Sequence, residues 1–235
     1  MKTIIKLGLL LLTGITGGCE VHPPVTDTSI TVIGDQSDPL KIKPEANEIC
    51  SLLDLKHNIW QSISISITYI SDKDVNTQKG VFLEKANRFT GNTQLRRAQV
   101  EHFKKELHTA LSNSNNSGSL DHSIIYRTVA NQLNSLSAST ASNRYLLLYS
   151  DLMENDEISF YNPATLALLR THPEAIRLQL EKDVALHDLS GIHIWLLYEP
   201  ASFEANNTYM AVAKMYRQML ESKGATVHIA NSLSQ

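Results

Sequence analysis

The stretch Ile30–Pro39, ITVIGDQSDP, decides the fold when it is read together with Tyr145–Asn155, YLLLYSDLMEN. Each begins as a short apolar run and stops at a carboxylate, Asp35 in the first and Asp151 in the second. A strand buried on both faces reads as a continuous apolar run bounded by turn formers. In an open α/β sheet, ligands gather beyond the carboxyl ends of such strands. Two strand ends that each carry Asp and Ser hold the residue types of a small oxygen-lined cation site.

The flanking segments alternate between strand and helix patterns. Pro44–Leu55 predicts a helix with Pro44 at its start and Ile49, Leu52, Leu53 and Leu55 facing inward. In Ser62–Ile70, SISISITYI, isoleucines alternate with hydroxyl residues, which is strand periodicity with one more polar face. Gly80–Leu83 reads as a short antiparallel edge strand. Thr90–Asn113 predicts a helix with Leu95, Ala98, Phe103, Leu107, Ala110 and Leu111 inward and Arg96, Arg97, Lys104 and Lys105 on the wet side. A further helix spans Ile124–Leu136, capped by Asp121 or Ser123.

After the second decisive strand come two short helices, Pro163–Leu169 and Pro173–Val184. A third buried strand, Gly191–Tyr198, precedes the amphipathic helix Glu204–Ser222, which Lys223-Gly224 terminates before the last strand, Ala225–Ile229. Strands alternating with helices in this order predict an α/β domain with a doubly wound, mostly parallel central sheet and helices on both faces.

The amino terminus is of a different kind. Lys2 and Lys6 precede an apolar core of Leu7–Leu12 with Ile15, and Thr16, Gly17 and Gly18 lead to Cys19. That core is too short for a transmembrane helix, which needs roughly 20 apolar residues, and it reads as an export signal. The Gly-Gly-Cys ending resembles a bacterial lipobox, with Thr16 where leucine is usual. The resemblance implies that Cys19 becomes the lipidated first residue of the mature chain. Ordinary cleavage nearby would instead leave Cys19 free to pair with Cys50, the only other cysteine, in an oxidising compartment. The expected organisation is a signal over 1–18, a tether over 19–29 and one domain over 30–235, held at the membrane of a bacterial cell envelope.

Composition narrows the function classes. The chain has 235 residues, 42% hydrophobic and 19% charged, which is ordinary for a globular protein. A net charge of −3 and an aromatic content of 6% argue against a nucleic-acid partner, which would ask for a basic face and stacking rings. Two cysteines without a CxxC exclude a cysteine-built zinc site, and the nine histidines show no ligand spacing.

The strand and helix order, with Asp35-Gln36-Ser37, Ser123 and Ser150-Asp151, resembles a divergent von Willebrand factor A domain. In that family a DxSxS loop, a Thr or Ser opening a later helix, and a further strand-end Asp hold Mg²⁺ at an adhesion site. The resemblance implies Asp35, Ser37, Ser123 and Asp151 as metal ligands, with Ser119 competing with Ser123, and Mg²⁺, Mn²⁺ or Ca²⁺ as the ion. Two positions depart from the pattern: Pro39 stands at the second Ser, and Leu152 stands where Gly is common.

What this implies is a non-enzymatic binding module that engages a protein partner through the cation end. A metal-dependent hydrolase built on Asp35 and Asp151 is an alternative. Against it, Ser37 rather than Asp lies two places after Asp35, and GxSxG and P-loop motifs are missing. GDQS followed by Asp188 and His193 also lacks the spacing of a GDS-type esterase. The third reading is a structural envelope protein with a vestigial site.

Overall fold

The computed structural model describes residues 27–37, 40–70, 78–112 and 122–233. The chain runs β1 (Thr28–Asp35), α1 (Ala46–Leu52), β2 (Ile63–Ile70), β3 (Gln78–Leu83), α2 (Thr93–Ser112), α3 (Ile125–Ser137) and β4 (Asn143–Tyr149). It continues through α4 (Pro163–Thr171), α5 (Pro173–Glu181), β5 (Ile192–Leu197), α6 (Phe203–Glu221) and β6 (Thr226–Ala230). The six strands form one sheet in the order β3-β2-β1-β4-β5-β6. Every neighbouring pair is parallel except β2 and β3, which are antiparallel. The sheet is thus mixed and mostly parallel, as the alternation of strand and helix patterns predicts.

Strand β1 is central and enclosed on both faces, which explains its unbroken apolar run. Ile30 and Val32 join Ile49 of α1, Leu53 directly after it, and Phe103 and Leu107 of α2 in one core. Ile33 joins Val129 and Leu133 of α3, with Val212 and Tyr216 of α6, in the other. In β2 the period of two sends Ile63, Ile65 and Ile67 to the α1/α2 core and leaves Ser64 and Ser66 half-buried on the opposite face. The chain builds β2 and β3 on one side of β1 and then, through the β3→β4 connection, crosses to build β4, β5 and β6 on the other. The crevice at the carboxyl ends of β1 and β4 is therefore the switch point of the fold.

Two helices depart from the sequence expectation, each for a local reason. In α2 the expected positions of Leu95 and Arg96 are exchanged: Leu95 is 60% exposed and Arg96 only 2%. The buried stripe runs Arg96, Val100, Phe103, Leu107 and Leu111, and Arg96 continues it by one turn. Its guanidinium donates to the carbonyls of Ile59 at 2.6 Å and Gln61 at 2.8 Å, satisfying loop oxygens that burial would otherwise orphan. Helix α3 opens on Ile124 with no side-chain cap of its own. The expected alternative cap, Asp121, lies outside the described residues, and Ser123 does not take the role.

Gly34, the penultimate residue of β1, sits beneath Tyr69. A Cβ there would lie 2.8 Å from the Tyr69 ring, whose hydroxyl donates to the Leu111 carbonyl and so cannot swing aside freely. Gly34→Ala is expected to cost about 1–3 kcal/mol through overpacking, read as a lowered urea midpoint.

Candidate functional site

Asp35, the last residue of β1, is buried at the switch-point crevice. Its Oδ1 accepts from the Ser37 amide at 3.0 Å and the Ser37 hydroxyl at 2.6 Å. Its Oδ2 accepts from the Ser150 hydroxyl at 2.7 Å. Ser150 follows β4 directly, so one carboxylate ties together the ends of two adjacent parallel strands. The Ser150 hydroxyl in turn accepts from the Leu152 amide at 2.9 Å.

The chain turns sharply after Ser150. Leu152 is fully buried with φ of 61°, a left-handed conformation that costs a non-glycine residue roughly 1–2 kcal/mol. Packing against the α3/α6 core holds it there. Asp151 turns back locally, its Oδ1 accepting from the Met153 amide at 2.9 Å. The turn delivers Glu154 to the amino end of α3, where Oε1 accepts from the Ile125 amide at 3.1 Å and Oε2 from the Tyr126 amide at 2.8 Å. Glu154 is the cap of α3, supplied from 29 residues away. Paired backbone bonds between Ser123 and Asn155, at 3.2 and 3.0 Å, hold the two segments side by side.

The electrostatics of this cluster are set by burial. Glu154 is only 4% exposed, and desolvation raises its carboxyl to about 8. The two α3 amides oppose that rise, while the charges of Asp156 and Asp35 add to it. Tyr216, enclosed in the same core, is pushed well above the usual phenol range by burial, with Glu154, Tyr126 and Asp35 adding to the effect.

The structure therefore brings Asp35, Ser37, Ser123 and Asp151 to one end of the sheet, but it does not assemble them as metal ligands. The Ser37 hydroxyl, expected to supply a neutral ligand, donates to Asp35, as does the Ser150 hydroxyl, and Asp151 Oδ1 accepts from the Met153 amide of its own turn. The buried Ser123 hydroxyl has no hydrogen-bond partner among the described residues. Among those residues no group of three or more His, Cys, Asp or Glu could hold a metal ion. The residues do not fit the Mg²⁺ centre that the resemblance implied. Ser119 and Pro39 lie outside the described residues, as does Cys19. Two residues escaped the sequence reading: Ser150, noted only as a neighbour of Asp151, and Glu154, whose partner amides are too distant in sequence for any local motif to mark it.

No protein-family model matches the chain, and no curated protein matches it. Solved structures similar to it include the PilB minor pilin from Streptococcus sanguinis, at 12% identity and a TM-score of 0.44, covering 89% of this chain and 58% of that one. A point mutant of the same pilin gives 12% identity and a TM-score of 0.45, covering 91% and 59% respectively. The chain thus spans less than two thirds of those proteins. The von Willebrand factor A identification is corrected on these findings. No such family model matches, and the strand-end groups bond to one another. The metal-dependent adhesion module falls with it.

Proposed function

We propose that this is an exported, membrane-tethered envelope protein that acts by holding to other proteins and carries out no chemical turnover. The observation behind this reading is that the polar groups at the switch point are engaged structurally. Asp35 clasps two strand ends and Glu154 caps a helix, so the two carboxylates best placed to serve a reaction are committed to holding the fold. Export follows from the signal-like Met1–Gly18, and tethering from the lipobox-like ending at Cys19. Among the described residues no helix is long and apolar enough to cross a membrane. In this reading a lipid on Cys19 is the anchor.

The test pairs a pull-down from envelope extract, with and without EDTA, with assays on p-nitrophenyl phosphate and p-nitrophenyl acetate in Mg²⁺ or Mn²⁺. Partner capture that is indifferent to the chelator, with no turnover above buffer, is the expected result. Turnover that disappears in Asp35→Asn would sink the non-enzymatic reading. Mass spectrometry of the mature protein tests the anchor: an amino terminus other than an acylated Cys19 removes it.

A further inference from the structure

Near the amino ends of the strands stand three large exposed apolar side chains. Phe89 is 79% exposed, Phe82 63%, and Leu95 stands out from the first turn of α2. All three neighbour the point where the chain enters the sheet. Lys85 Nζ lies 3.3 Å from Asp27 Oδ1, and the Ser62 hydroxyl donates to the same oxygen. A Cβ on Gly91 would lie 2.5 Å from the Trp60 ring, so the loop bearing Phe89 rests on Trp60 just before β2. Phe82 pairs with Ser64, which pairs with Ser29, placing it two strand spacings, about 10 Å, from the entry strand.

Charge is divided along the same axis. Residues 84–97 contain Lys85, Arg88, Arg96 and Arg97 against the single acid Glu84, within a chain of net charge −3. With Arg96 turned inward, three cations remain at the surface. At the opposite end of the sheet, with Glu154 turned inward, residues 151–157 leave Asp151, Asp156 and Glu157 toward the surface and contain no cation. Seven residues, Glu20–Thr26, separate Cys19 from Asp27 and can reach at most about 25 Å.

We propose that this end of the domain, with Phe89 and Leu95 flanked by Arg88 and Arg97, lies against the anionic lipid surface of the bilayer to which Cys19 anchors the chain. Large apolar side chains entering the headgroup layer beside cations are what binds a protein surface to such a membrane. A tether this short keeps the surface at high local concentration, so a weak contact suffices. Docked this way, the acidic strand ends point away from the bilayer. The proposal rests on the anchored reading above.

The mature chain from Cys19, with Cys50→Ala, is coupled through the Cys19 thiol to a maleimide-bearing lipid in phosphatidylglycerol/phosphatidylcholine vesicles containing brominated acyl chains. Trp60 and Trp195 are the only tryptophans. The bromines are expected to quench Trp60 emission, with at least a twofold loss of quenching in Phe89→Ser/Leu95→Ser/Arg88→Glu and in vesicles lacking phosphatidylglycerol. These side chains are exposed, and an unchanged urea midpoint checks that the variant folds. Equal quenching in variant and parent, or none in either, overturns the docking surface. Because coupling replaces the natural anchor, an unmodified Cys19 in cells would remove the anchored reading while quenching in the coupled chain still upholds the surface.

Discussion

Glu154→Gln is expected to abolish most of the pH dependence of stability between pH 5 and pH 9, and to leave the protein more stable than the parent at the alkaline end. Burial raises the Glu154 carboxyl from 4.5 to about 8 in the folded chain. In the unfolded chain it titrates near its ordinary value. Between those limits the folded state holds a proton that the unfolded state has lost, so stability falls as pH rises through this window. The full benefit is present below about pH 4.5 and is gone above about pH 8. Three and a half units correspond to about 3–5 kcal/mol at most, since each unit is worth about 1.4 kcal/mol. Glutamine mimics the protonated acid: one oxygen still accepts an α3 amide, and the group carries no charge to desolvate. The variant is expected within about 1 kcal/mol of the parent at pH 5 and about 2–3 kcal/mol above it at pH 9. Urea unfolding of the two proteins at several pH values reads the difference. Parallel curves for parent and variant would show that Glu154 is already ionised at pH 5.

Most of the sheet was legible because its signals are local. The run ITVIG is apolar but for Thr31 because β1 has a core on each side, and SISISIT alternates because only one face of β2 is fully enclosed. The antiparallel return of β3 was legible in part, as Gly80–Leu83 following the turn-forming residues after β2, though the strand begins at Gln78. What escaped depended on long-range hydrogen bonds. Helical periodicity places Leu95 and Arg96 almost equally well at the start of α2, and the choice falls to two loop carbonyls 35 and 37 residues away. A guanidinium can satisfy both of those and leucine neither, so the charged residue is the buried one. Likewise, Ser123 looked like a cap because it sits where a cap should, but a carboxylate from the β4–α4 loop meets the amides first.

The same reasoning explains why Asp35 and Asp151 suggested a metal. Acid and hydroxyl residues at strand ends are the ingredients of a cation site and of a hydrogen-bonded clasp alike. The difference lies in where each hydroxyl points, and composition is silent on that. Here Ser37 and Ser150 point at Asp35.

Asp35→Ala is accordingly expected to cost about 3 kcal/mol of stability at neutral pH, read as a lowered urea midpoint with an unchanged slope. Three donors lose one buried acceptor, and hydrogen bonds to a charged group each contribute about 1.5–3 kcal/mol. The loss at neutral pH is less than their sum because Ser37 lies in a loop that can turn to water. A second effect enters only where Glu154 ionises, above about pH 8: removing the Asp35 charge relieves its repulsion of Glu154. That second effect gives the prediction a distinctive signature. In the Asp35→Ala background Glu154 should titrate at lower pH than in the parent, so the stability deficit narrows above pH 8. Asp35→Asn, which keeps one acceptor oxygen, should cost about 1 kcal/mol and show the same narrowing. A double-mutant cycle with Glu154→Gln isolates the coupling, because the alkaline narrowing must vanish once residue 154 carries no charge. A clasp also keeps its midpoint when millimolar Mg²⁺ is added, whereas a cation centre would gain stability in proportion to the logarithm of the ion concentration. An Asp35→Ala protein as stable as the parent without Mg²⁺, but no longer stabilised by it, would reverse the assignment of Asp35 as a structural clasp.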